Sequence, residues 1–111
     1  MVGKYMILYR SSATAAEQME ADPAEIAAGM KLWTDWAARA GDALVDFGSP
    51  LNEVGTVPSG GGDGGTHIGG YAIMQAESVD AVNTLLEDHP HLHAPNASIE
   101  VLEILQVPGM G

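Results

Sequence analysis

Four strand-forming stretches and two helix-forming ones follow one another as strand–helix–strand, strand–helix–strand, and a run of glycines separates the two halves. Capping residues stand at the start of each helical stretch, and 111 residues suffice for one core without disulfides or a structural metal. These observations predict a single α+β domain over residues 1–111. Its expected form is an antiparallel four-stranded sheet with two helices on one face, the ferredoxin-like split βαβ pair.

The first strand is Tyr5-Met6-Ile7-Leu8-Tyr9, an almost unbroken apolar run that suits a strand covered on both faces. Arg10 and Ser11-Ser12-Ala13-Thr14 end it, and the small polar stretch to Ala21 reads as a mobile connection. Asp22-Pro23-Ala24-Glu25 starts the first helix: Asp22 accepts from unpaired amides, Pro23 fits the first helical position, and Glu25 follows three residues after the cap. Ile26, Gly29, Met30, Trp33, Trp36, Ala37 and Ala40 then form an inner stripe, with Lys31, Asp35 and Arg39 on the solvent side and Gly41 as the stop. An aromatic stripe at helical spacing reads as core; Trp36, at its edge, is the better candidate to meet a ligand.

Ala43 to Gly48 is the second strand, with Leu44 and Asp46 on one face and Val45 and Phe47 on the other. Asp46 is a candidate acid/base group, although an exposed edge position accounts for a strand carboxylate equally well. Glu53 to Val57 is compatible with a further short strand. The run Pro58 to Gly65 is too rich in glycine for an element interior and reads as a hairpin tip or lid. It lacks the lysine and the following helix of a phosphate-binding loop.

His67 to Gln75 is the third strand, with Ile68, Ala72 and Met74 on one face and His67, Tyr71 and Ile73 on the other; Gly69-Gly70 inside it predicts a bulge or the close approach of another backbone. Ser78 caps the second helix, whose inner stripe is Val79, Val82, Leu85 and Leu86. His89 continues that stripe and should point inward or toward a cleft rim, and Pro90 stops the helix. Ser98 to Val107 is the fourth strand, apolar on parts of both faces. A small sheet with two apolar faces needs two covers, and a second copy across a homodimer interface supplies the one the helices do not.

Composition narrows the function classes. Acidic residues outnumber basic ones 15 to 4, for a formal charge of −11, which repels a phosphate backbone, so nucleic acid is not an expected partner. With no cysteine, disulfides, thiolate metal sites and thiol nucleophiles are excluded. No apolar run spans a bilayer and Met1-Val2-Gly3-Lys4 opens no signal peptide, so a cytoplasmic protein without a membrane partner is expected. No cofactor is called for.

The chemistry is expected at Asp88-His89-Pro90-His91-Leu92-His93. In an extended segment the three imidazoles point to one side and could ligate a divalent metal, an alternative reading of the run. The leading reading makes His89 or His91 a general base acting on a small polar or aromatic compound, with Asp46 or Asp88 orienting it, Tyr71 or Trp36 walling the pocket and His93 a further ligand-binding candidate. A non-catalytic interaction or regulatory module is the other alternative.

Lys4-Tyr5-Met6-Ile7-Leu8, Gly48-Ser49-Pro50-Leu51, Gly69-Gly70-Tyr71, His89-Pro90 and Ile99-Glu100-Val101, taken in order over nearly the whole chain, resemble the YCII-related family, particularly its DGPF-type branch. The resemblance implies a dimeric α+β barrel of two ferredoxin-like subunits packed sheet to sheet, with a cleft near the end of the second helix. It also implies an acid/base pair made by a histidine in the first helix and an Asp-Pro after the second. This chain has Met30 or a neighbour at the first place and His89-Pro90 at the second, which leaves Asp88 with His89 as the substitute pair.

Overall fold

The computed structural model describes residues 2–57 and 66–108, without the side chains of residues 15 and 16; the glycine-rich loop read above as a tip or lid lies outside the described residues. The chain runs β1 (Gly3–Ser11), α1 (Ala15–Gln18), α2 (Pro23–Ala40), β2 (Leu44–Asp46), β3 (His67–Ala76), α3 (Val79–Leu86) and β4 (Ser98–Glu103), with 3-10 turns at Gly41–Ala43 and Pro90–His93. The strands form one sheet in the order β2-β3-β1-β4, with every neighbouring pair antiparallel. This is the ferredoxin-like order that the alternation of elements predicts.

The helix starts follow the capping logic of the sequence. Asp22 accepts from the Ala24 amide at 3.3 Å and Ser78 from the Ala81 amide at 3.2 Å. Gly41 ends α2 with φ 56°. The connection after β1 is more ordered than its small polar residues suggest. Thr14 Oγ1 accepts from the Glu17 amide while Glu17 Oε1 accepts from the Thr14 amide, a reciprocal capping box that starts α1.

One face of the sheet carries the core. Tyr5, Ile7 and Tyr9 from β1 and Ala72 and Met74 from β3 are buried against Trp36 and Ala40 of α2 and Val82 and Leu86 of α3. Ile99 and Val101 of β4 pack at its margin. The inner stripe of α2 is confined to its C-terminal half: Trp36 and Ala40 are buried, whereas Ile26 and Met30, expected inside, are exposed. Helical periodicity marks a face but cannot tell how far the sheet beneath it extends. β4 likewise ends at Glu103 rather than Val107, although the Ile104 amide still donates to the Lys4 carbonyl at 2.9 Å.

Two irregularities change which side chains face the helices. Tyr9 pairs with Gly70 and Arg10 with Ile68, so Gly69 is the extra residue of a bulge. Beyond it the alternation inverts, and His67, opposite the buried Ser11, comes to the helix side instead of sharing a face with Tyr71 and Ile73. A second register shift separates Leu44 from Asp46 in β2 and brings Phe47 to the helix side with Leu44, where strict alternation separates them. Glu53 to Val57 forms no strand; the continuation of β2 is a single bridge from Pro50 to Gly70.

The second face of the sheet carries Met6, Leu8, Tyr71 and Ile73, all half-buried, with the more exposed Leu102 beside them. No described helix covers it. Arg10 Nε and Glu100 Oε1 make a 2.7 Å ion pair near its end.

A candidate site of six rings at one end of the sheet

The sequence places its histidine run where α3 ends, and the fold turns that run into a tight corner. His89 has extended backbone (φ −63°, ψ 135°) and caps the 3-10 turn that Pro90 opens, so the three histidines do not alternate along a strand. His89 is fully buried, as the continued stripe of α3 predicts; His91 is 7 % exposed and His93 is exposed. Only the first two contribute to a site. Among the described residues no three His, Cys, Asp or Glu side chains converge on a place that could hold a metal ion.

The two buried imidazoles are fixed differently. His89 Nδ1 accepts the His91 amide at 2.9 Å, so the neutral ring must carry its hydrogen on Nε2. That Nε2 is buried and has no partner. His91 Nε2 lies 2.8 Å from the Arg10 carbonyl and 3.1 Å from the Ser98 carbonyl, and two acceptors require it to be the donor. His91 therefore ties the corner to the ends of β1 and β4, and this nitrogen is not available as a base.

Around His89 the rings close into a box. Its centroid lies 4.3 Å from Trp36, 4.5 Å from Trp33 and 4.9 Å from Tyr9, with Trp33 standing nearly perpendicular to it at 86°. Tyr9 is also 4.9 Å from Trp33 and 5.2 Å from His91, and Phe47 lies 6.4 Å from Trp33. Gly70 makes room for this, since a side chain there would meet the Tyr9 ring at 3.4 Å and the Ser49 carbonyl at 3.3 Å. Of the six rings only Trp33 and Phe47 keep appreciable contact with solvent. They form the outer wall.

Burial sets the protonation states. Loss of hydration lowers the His89 pKa to about 4, helped by His91 and Arg39 and opposed by Asp88. Burial also lowers that of His91, against the two carbonyls that favour its charged form. The Tyr9 phenol is pushed well above its ordinary value by burial, and its hydroxyl, like His89 Nε2, has no partner. At neutral pH the box thus holds an N–H and an O–H, both uncharged and both unpaired. Such groups are costly to bury and mark places where a water or a ligand atom belongs.

The other residues expected at the site lie elsewhere. Trp36 is in the box but committed: it is 1 % exposed, and its Nε1–H donates to the Leu85 carbonyl at 2.8 Å. Asp88 is exposed and pairs with Arg39 across from α2 at 3.1 Å, so it is not hydrogen-bonded to His89 and the substitute acid/base pair is not formed. Asp46 is exposed and accepts the Gly48 amide at 2.8 Å, which makes it a turn residue. Tyr71 points to the second face of the sheet, away from His89. In the solvent row of α2, Lys31 pairs with Asp35 at 2.9 Å as the spacing predicts.

Sequence reasoning missed Tyr9 and Trp33, because a strand aromatic and a helix aromatic look the same in a core and in a box. It also missed the pairing of His67 Nδ1 with Glu53 Oε1. The signal for that pair is the Gly69-Gly70 bulge, which reverses the facing of His67. No helix among the described residues is long and apolar enough to cross a membrane. The chain matches no protein-family model, and no curated protein is significantly similar to it.

Proposed function

We propose that the protein is a YCII-like small-molecule-binding domain, a homodimer of the α+β barrel type, whose ligand enters the ring box and is held by Tyr9 and His89. One observation carries this reading: two buried hydrogen-bonding groups, Tyr9 Oη and His89 Nε2, stand without partners inside one aromatic cluster. The ligand class follows from what the box offers. Both groups are uncharged at pH 7, Arg10 lies on the other face of the sheet, and Arg39 is held by Asp88 at the surface. Among the described residues no cation faces the box, so a neutral planar molecule with a carbonyl oxygen fits better than a carboxylate or phosphate.

Benzaldehyde and benzoate test the choice. Both tryptophans of the chain lie in the cluster, so their fluorescence reports on occupancy. The aldehyde should quench it with millimolar affinity and shift the His89 Nε2 resonance, while benzoate binds at least tenfold more weakly. Tyr9→Phe, which removes one donor and keeps the ring, should weaken the aldehyde about fivefold to tenfold. Equal affinity for both compounds, or quenching that survives Tyr9→Phe unchanged, removes the reading.

A further inference from the structure

We propose that Glu53 and His67 form a carboxylate–imidazole base that takes a proton from the carbon beside the carbonyl of a small planar ligand held by Tyr9 and His89. This rests on the ligand-binding reading above and adds a reaction to it.

The bulge at Gly69 gives the argument its geometry. His67 is the register partner of Ser11, and both lie on the helix side with Tyr9, two residues earlier on β1. Two residues along a strand and one strand across amount to about 8 Å between the backbones of Tyr9 and His67, the spacing at which diagonal neighbours on one face come within side-chain reach, so a ligand whose oxygen is held at Tyr9 lies beside the His67 ring. The segment bearing Glu53 is held along β3 by the Pro50–Gly70 bridge and by the Leu51 amide, which donates to the Gly69 carbonyl at 3.0 Å. Glu53 meets His67 at Nδ1. Nε2 then carries the lone pair, bonds to no described residue, and belongs to a side chain 40 % exposed.

His93, on the 3-10 turn, is exposed and pairs with no described carboxylate, and the remaining candidate bases near this end are committed. His91 Nε2 donates to two carbonyls, His89 Nδ1 is occupied by a backbone amide, Asp46 holds Gly48 and Asp88 holds Arg39. His67 remains. In the step, Nε2 takes the proton from the C–H bond, and the electron pair of that bond forms a carbon–carbon double bond as the carbonyl π pair moves onto oxygen. That oxygen receives hydrogen bonds from His89 Nε2–H and Tyr9 Oη–H, donors that need no reorganisation as charge develops. The imidazolium left on His67 is paired with Glu53. Return of the same proton to a different carbon of the conjugated system gives an isomer, and no co-reactant is consumed. The substrate class is therefore a neutral, conjugated carbon acid; Glu53 is a positioning residue and His67 the base.

The probe is 5-nitrobenzisoxazole, a neutral flat ring in which removal of the C–H proton breaks the N–O bond and leaves a coloured phenolate, so charge again grows on an oxygen. The full chain should accelerate this elimination above buffer with saturation. His67→Gln should lower kcat/KM roughly hundredfold. Glu53→Gln should lower kcat about tenfold with KM unchanged, and Glu53→Asp should restore most of it. Binding is measured separately with 5-nitroindazole, which has no proton to lose in this way, by tryptophan quenching. Turnover at the buffer rate, or turnover unchanged in His67→Gln, overturns the base. If 5-nitroindazole still binds and Tyr9→Phe weakens it, the ligand-binding reading survives that result; absence of both binding and turnover ends both.

Discussion

A histidine with a full complement of neighbours and one unpaired nitrogen has a measurable consequence for stability. The folded pKa of His89, about 4, lies below the ordinary value of 6.5, so the unfolded chain takes up a proton first as the pH falls. The contribution of the neutral ring is fully present above pH 6.5 and is lost progressively down to about pH 4, a total on the order of 3 kcal/mol. His91, also lowered by burial, acts in the same direction. The interval from pH 6.5 to 5 falls inside that loss. Urea midpoints measured there should fall with pH, and His89→Gln should flatten the slope even if it lowers stability at every pH. A wild-type midpoint constant over that interval contradicts a buried neutral His89.

At the scale of elements, two glycines with opposite roles test the description of the backbone. Gly48 has φ 80°, and a Cβ there would stand 1.7 Å from the Tyr71 carbonyl oxygen, a clash between main chains that no side-chain rotation relieves. Gly48→Ala should cost more than ~2 kcal/mol and loosen the Phe47 wall of the box. Gly29 sits inside α2 with nothing within 4 Å of its would-be Cβ, so Gly29→Ala should raise stability by about 0.5–1 kcal/mol. Chemical denaturation of the two variants decides both. The same level shows what the sequence could and could not disclose. Caps such as Asp22 and Ser78 act over three residues and were readable, as was the inward turn of His89 from its place on the α3 stripe. Facing beyond a bulge was not, because one inserted residue at Gly69 or between Leu44 and Asp46 reverses everything after it. The partners of Asp88 and Asp46 depended on contacts from α2 and on a local turn, and carboxylates look alike until those are known.

For the whole molecule the unresolved balance is between the two faces of the sheet. The shortest extent is 21 Å, enough for one sheet and one layer of helices, so the face bearing Met6, Leu8, Tyr71, Ile73 and Leu102 has no second layer among the described residues. Sheets pack face to face at about 10 Å, and a two-fold axis through such a face lets each copy meet the same residues of the other. Charge opposes this association, since each copy carries a formal −11. The two effects make a signed prediction. The protein should sediment as a dimer at micromolar concentration, and raising the salt from 0.05 to 0.5 M should tighten rather than weaken the dimer, because screening removes repulsion while apolar burial is retained. Ile73→Glu, which sets two carboxylates near the axis, should yield a folded monomer whose tryptophan environment is unchanged, the ring box being on the other side of the sheet. A wild-type monomer at these concentrations, or a dimer that dissociates with salt, would mean that this face is not what holds two copies together.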